Sequence, residues 1–238
     1  MPKQSVTSGC ASLRTFIWGR HSGGQGTRVW QPSPRAGIAL IEGAPPGERF
    51  GMAGLPAVMT RLLLAMALSE QGAFAQAIAA GEEGLRRART AGHPYSEVYG
   101  CLAIGYTHLR RGDFAAATRV LEPALALCRE MEIRIALPLV ATFLGSAYLW
   151  SGRTSDAVPL LEEAIEVLTA MRILGLRSWF ITFLTEAYLV LGRIAEGYGE
   201  LETARADYLR VIPPAEDEPQ GGSTYLLAKR RLERLPKN

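Results

Sequence analysis

The sequence predicts an all-α protein, a right-handed superhelix of stacked helical hairpins with a period of about 40 residues. Gly72, Gly112, Gly152 and Gly192 stand at an unbroken spacing of forty, and self-similarity at a fixed period of this size marks a stacked repeat. Each of these glycines lies between two segments whose apolar residues recur at steps of three and four, the period of a helix. Apolar and charged contents of 48% and 21% are those of a foldable soluble chain, and a solenoid reaches 238 residues as one array.

Residues 1–50 contain Gly23-Gly24-Gln25-Gly26, Pro32-Ser33-Pro34 and Pro45-Pro46-Gly47. Glycine and proline at that density interrupt helix and strand alike, so this stretch reads as a disordered leader. It is also basic, carrying Lys3, Arg14, Arg20, Arg28, Arg35 and Arg49 against Glu42 and Glu48. The repeat domain is expected over 51–210, with helical period from Leu55. In the second hairpin Tyr99, Leu102, Tyr106 and Leu109 mark one face before Gly112, and Phe114, Ala117, Leu121, Ala124, Leu125 and Cys128 continue after it. The third repeats this with Leu139, Leu144 and Tyr148, then Ala157, Leu161, Ala164 and Leu168. The fourth has Leu184, Tyr188 and Leu191, then Ile194, Leu201 and Ala204 about a turn at Gly192. Each unit is helix, short glycine turn, helix, and such short connections make the two helices antiparallel neighbours.

Between units the chain is expected to turn at Gly92-His93-Pro94, near 132–138 and near Gly175. Pro138 suits a first helical turn. Pro123 and Pro159 fall inside second helices, where proline costs on the order of 3 kcal/mol, so a kink is expected at Pro123 and a later helix start at Pro159. An acidic, proline-rich linker is expected over 211–223, and a short basic amphipathic helix over 224–238 that caps the open end of the array.

These residues resemble the tetratricopeptide repeat, whose pattern is a Leu-Gly pair, an aromatic three residues on, a turn glycine, and Ala-x-x-x-large-x-x-Ala in the second helix. Ile104-Gly105 precedes Gly112, with Ala117, Leu121 and Ala124 after it. Leu144-Gly145 and Tyr148 precede Gly152, with Ala157, Leu161 and Ala164 after it. Tyr188 precedes Gly192, with Leu201 and Ala204 following, while Thr185 and Gly197 depart from the pattern. The first unit keeps Leu64, Ala77 and Leu85 but places Gly81 and Gly84 where larger residues are usual. The period exceeds the usual thirty-four. In this it is similar to the helical arrays of multidomain bacterial regulators that carry an ATPase module or a class III adenylate or guanylate cyclase domain. Residues 48–56, 80–84, 145–152 and 160–165 carry that resemblance. It implies a fragment or paralogue of such a regulator's sensor array.

No Gly-x-x-x-x-Gly-Lys-Ser/Thr occurs, so the resemblance does not carry ATPase or cyclase activity to this chain. Cys10, Cys101 and Cys128 form neither a disulfide framework nor a zinc spacing. His93 and His108 share no metal-like spacing with each other or with an acid. No cofactor, metal or catalytic residue is therefore expected. Outside the leader, twenty bases meet twenty-one acids, which supplies no basic stripe for nucleic acid. No membrane span or secretory signal is expected, and odd, unpaired cysteines suit the cytoplasm.

The expected function is a non-catalytic protein-interaction or regulatory scaffold. With first helices lining the groove, the candidate partner-binding residues are Met59, Leu62, Met66, Tyr99, Leu102, Tyr106, Leu139, Thr142, Ser146, Trp179, Thr182 and Glu186. They lack the Lys, Arg and Asn of carboxylate-gripping repeats, so the expected occupant is an apolar or amphipathic peptide. An intracellular small-molecule or peptide sensor is the alternative reading, and an enzyme or RNA-binding array a more distant one.

Overall fold

The computed structural model describes residues 45, 47–171, 174–211 and 222–235, without the side chains of 174–183, 186 and 222–226. The expected leader and linker fall almost wholly outside these residues. Among the described residues all regular structure is helical. The chain divides into two compact units, Met1–Ala136 and Leu137–Asn238.

The first unit contains α1 (Pro56–Glu70), α2 (Phe74–Thr90), α3 (Pro94–Arg111) and α4 (Phe114–Glu130). Each packs on the next, and α1 also packs on α3, so the two first helices lie side by side in one layer. The second unit contains α5 (Leu137–Trp150), α6 (Thr154–Ala170), α7 (Leu174–Gly197), α8 (Leu201–Leu209) and α9 (Gly222–Arg234). Here α5, α6, α7 and α8 pack in sequence, α5 touches α7, and α9 lies on α7 and α8.

One turn recurs inside every hairpin. Gly72, Gly112, Gly152 and Gly199 have φ of +75°, +82°, +79° and +77°, the left-handed conformation that ends a helix at lowest cost when the residue is glycine. The N–H after each glycine returns to a carbonyl five residues earlier, Ala73 to Leu68, Asp113 to His108, Arg153 to Tyr148 and Glu200 to Ala195, at 2.8–2.9 Å. Five residues past each glycine stands a fully buried alanine, Ala77, Ala117, Ala157 or Ala204. A side chain this small lets the two helices of the hairpin approach closely.

The fourth turn corrects the glycine ladder. Gly192 is not a turn residue but lies within α7, and the turn comes seven residues later at Gly199. Gly192 instead does what Gly105 and Gly145 do. A Cβ on Gly105 would stand 2.5 Å from Leu121, on Gly145 2.8 Å from Leu161, and on Gly192 2.5 Å from Tyr208. Each pair is sixteen residues apart, and each of these glycines precedes its turn glycine by seven. Leu191-Gly192 is thus the Leu-Gly pair of the fourth hairpin, and Tyr208 takes the place of Leu121 and Leu161.

The coincidence at forty has a structural origin. The Tyr188 hydroxyl of α7 donates to Glu162 of α6, and His108 of α3, eighty residues before Tyr188, lies near Glu82 of α2, eighty before Glu162. The α7 helix therefore keeps the forty-residue spacing toward the helix before it. It then runs seven residues further, about 10.5 Å or two helical turns, before its own partner joins.

The α4 helix contains Pro123. The expectation at Pro159 is corrected, since α6 begins at Thr154, ahead of that proline rather than after it. Pro123 and Pro159 both face outward, so the carbonyls they leave without an N–H partner lie on the solvent side of their helices.

Candidate partner-binding surface

Helix α1 enters after Leu55, whose N–H donates to the Ser96 hydroxyl of α3 at 2.8 Å. At the far end of the two helices the Ser69 hydroxyl donates to that of Thr107 at 3.0 Å. These two buried polar links pin α1 alongside α3 at both ends. They fix the register of the side chains that the layer presents on the face turned away from α2 and α4.

That face begins where the Tyr95 ring and the Met59 sulfur both come against Gly54. The Tyr95 hydroxyl donates to that of Tyr99 at 3.2 Å, and the two rings lie 5.0 Å apart. Two turns further along α3, the Tyr106 hydroxyl donates to Glu70 of α1, and Arg110 donates to the same carboxylate at 2.9 Å. The Tyr106 hydrogen bond and the Arg110 charge hold the Glu70 carboxyl below its ordinary range. Burial and the Glu70 carboxylate push the Tyr106 phenol up to about 12, so it stays a donor at neutral pH.

The twelve candidates are not equivalent in place. Met59, Met66, Tyr106 and Leu139 are half-buried, whereas Leu62, Tyr99, Leu102, Thr142 and Ser146 are buried. In the second unit the Ser146 hydroxyl donates to the Thr142 carbonyl at 2.9 Å. The Thr142 hydroxyl is itself buried with no hydrogen-bond partner among the described residues. Trp179, Thr182 and Glu186 lie outside the described side chains. In the first unit Met59, Met66 and Tyr106 thus share the α1/α3 layer, together with Tyr95, Glu70 and Arg110, which were absent from the expected set. Glu70 and Arg110 did leave a signal. Each stands two residues before its turn glycine, so adjacent repeats carry opposite charges at one repeat position.

The remaining polar groups point to structure rather than chemistry. Burial pushes the Cys101 and Cys128 thiols up to about 11 and about 12, which keeps them protonated and weakly nucleophilic. Arg86 and Arg87 share Glu83, and Arg89 binds Glu97 at 2.8 Å, so each arginine of this cluster is held in an ion pair. Among the described residues no group of three or more His, Cys, Asp or Glu has a metal-holding arrangement. No described helix is long and apolar enough to cross a membrane.

Residues 101–131 match the family model of the tetratricopeptide repeat. The match runs from the middle of α3, through the Gly112 turn, to the residue after α4. No curated protein matches the chain significantly. With hairpins that repeat the same turn, the same buried alanine and the same close approach, the chain is a TPR-like array, and such arrays serve as protein-interaction scaffolds.

Proposed function

We propose that this chain is a non-catalytic scaffold that receives an apolar or amphipathic peptide segment on the α1/α3 face of its first unit. The observation that carries this reading is the row of half-buried Met59, Met66, Tyr95 and Tyr106 on one layer, closed at one end by the Glu70–Arg110 pair. Methionine adapts to irregular apolar partners, and tyrosine supplies large contact area at small entropic cost. The charge pair adds an anchor of each sign, suited to orienting a helix with a polar flank. A protein partner is favoured over nucleic acid because Arg87, Arg89 and Arg110, near the ends of α2 and α3, face Glu83, Glu97 and Glu70. The long helices, 14 to 18 residues in α1 to α6, support kinship with the sensor arrays of bacterial ATPase and cyclase regulators.

Amphipathic 16-residue helices selected by display against the full chain test the reading. The selected peptides are expected to lose about tenfold or more in affinity on Met66→Glu or Tyr106→Ala, as anchor truncations commonly cost more than 1 kcal/mol, with the helical fold of both variants retained in circular dichroism at the assay temperature. Peptides that bind both variants as well as the parent chain would sink it.

A further inference from the structure

The last hairpin is built differently from the others. Helix α8 has nine residues where α2, α4 and α6 have seventeen, while α7 has twenty-four. At 1.5 Å per residue, α8 covers about 13.5 Å of a helix about 36 Å long. Helix α9 packs on both α7 and α8. It follows α8 after twelve intervening residues, 210–221, whereas three residues join α2 to α3.

The described contact of α9 is chemically specific. Ala228 and Leu235 are buried, and between them Arg231 donates to Glu196 of α7 at 2.7 Å. The Tyr208 hydroxyl of α8 donates to the same Glu196 oxygen at 2.7 Å. Positions i, i+3 and i+7 lie on one helix face, so α9 is read through an Ala-x-x-Arg-x-x-x-Leu stripe. Among the other described side chains of α9, Leu227 is 49% exposed and Leu232 only half-buried, while Lys229, Arg230 and Arg234 face solvent.

We propose that α7 and α8 form a helix-binding site around Glu196 and Tyr208, that α9 occupies it as an internal ligand, and that a partner's basic amphipathic helix displaces α9. The stripe of α9 defines that partner: a small residue against the α7/α8 face, an arginine three residues on for Glu196, and a leucine four residues after it. Because α9 belongs to the same chain, its seating is intramolecular and corresponds to an effective concentration on the order of millimolar, enough to hold it against weak competitors and to yield to a better-fitting helix. This site lies in the second unit and does not depend on the α1/α3 face.

The test uses the full chain and a fluorescent peptide of residues 222–238. The parent chain, with its own α9 seated, is expected to bind the peptide weakly. Ala228→Glu in the chain places a carboxylate in the contact, unseats α9 and raises peptide affinity about 10- to 100-fold, by removing intramolecular competition. Arg231→Glu in the chain unseats α9 by like-charge repulsion with Glu196 and gives the same gain should the first variant fold badly. A peptide carrying Arg231→Glu is expected to bind neither variant, and to regain binding when Glu196→Arg is added to the Ala228→Glu chain. If unseating α9 yields no tighter binding in folded protein, or if the charge exchange restores nothing, α9 is a fixed part of the fold and the proposal is overturned. Met66→Glu and Tyr106→Ala leave this assay unchanged, which separates its outcome from that of the first-unit reading.

Discussion

Glu132 holds a left-handed backbone, φ +51°, at the turn between α4 and α5. Forty residues earlier Gly92 holds φ +59° at the turn between α2 and α3, and the N–H groups after both return to helix carbonyls, His93 to Ala88 and Ile133 to Cys128. The turn is the same, but one copy carries a Cβ that this conformation disfavours by about 1–2 kcal/mol. Glu132→Gly is therefore expected to stabilise the protein by about 1 kcal/mol, raising Tm by about 2–4 °C in calorimetry. A fall in Tm would mean that the side chain earns more than the backbone strain it imposes. His108 is a second misfit against its own repeat. Its Nδ1 is buried without a hydrogen-bond partner among the described residues, 3.7 Å from Asp113. Tyr148 and Tyr188 stand at the same forty-residue spacing, and Tyr188 donates to Glu162. His108→Tyr should reach Glu82 in the same way and raise Tm, with thermal melts at pH 7 as the check.

At the scale of elements, most of the hairpin was legible because its requirements are local. A left-handed turn needs glycine, a close approach needs glycine or alanine, and both recur at fixed offsets that a sequence displays. The exception was α7. Glycine serves two unrelated purposes seven residues apart in each hairpin, and a two-turn extension of α7 placed the packing glycine on the rung where a turn glycine was due. The true register was present in Leu191-Gly192, Gly199, Ala204 and Tyr208, which keep the offsets of the third hairpin. With the turn at Gly199, the residues Thr185 and Gly197 no longer stand at the positions of the repeat pattern. The candidate surface was less legible, because helical period identifies a face without saying how closely the next helix covers it. Leu62, Tyr99 and Leu102 carry the same period as Met59, Met66 and Tyr106, yet only the latter three remain partly open. The α7 register predicts opposite outcomes for two neighbouring glycines. Gly192→Ala drives a Cβ into the Tyr208 ring and should cost about 1–3 kcal/mol, the usual range for overpacking. Gly197→Ala meets nothing within 4 Å at a helical φ and should be neutral or stabilising by up to about 1 kcal/mol. Equal costs at both positions in denaturant titrations would contradict this register.

At the scale of the whole molecule, stability should fall on acidification in two steps with different physical origins. Burial depresses the imidazoles of His93 and His108 below the ordinary 6.5. Arg49 adds to this at His93, while at His108 Asp113 and Glu82 oppose it and Arg111 and Arg119 reinforce it. A group whose folded pKa is depressed binds more protons unfolded than folded, so stability rises with pH across that interval and declines as pH drops below about 6.5. Protonation of His93 also removes the Nδ1 acceptor that caps α3 through the Ser96 N–H at 3.2 Å. The second step belongs to carboxylates held below their ordinary 4.5. These are Glu70 through Tyr106 and Arg110, Glu196 through Tyr208 and Arg231, and Glu83, against its burial, through Arg86 and Arg87. Their stabilisation is complete above about 4.5 and lost as pH falls through the depressed values. Asp207, raised by burial, works in the opposite direction and softens this limb. Salt separates the two steps. Screening acts on the exposed ion pairs, with a Debye length of only about 3 Å at 1 M, and barely on a desolvation penalty. Thermal melts from pH 8 to 3 should therefore show the carboxylate limb shrinking in 1 M salt while the histidine limb persists, and His108→Tyr should reduce the histidine limb. A histidine limb that salt abolishes would assign it to charge repulsion rather than to burial.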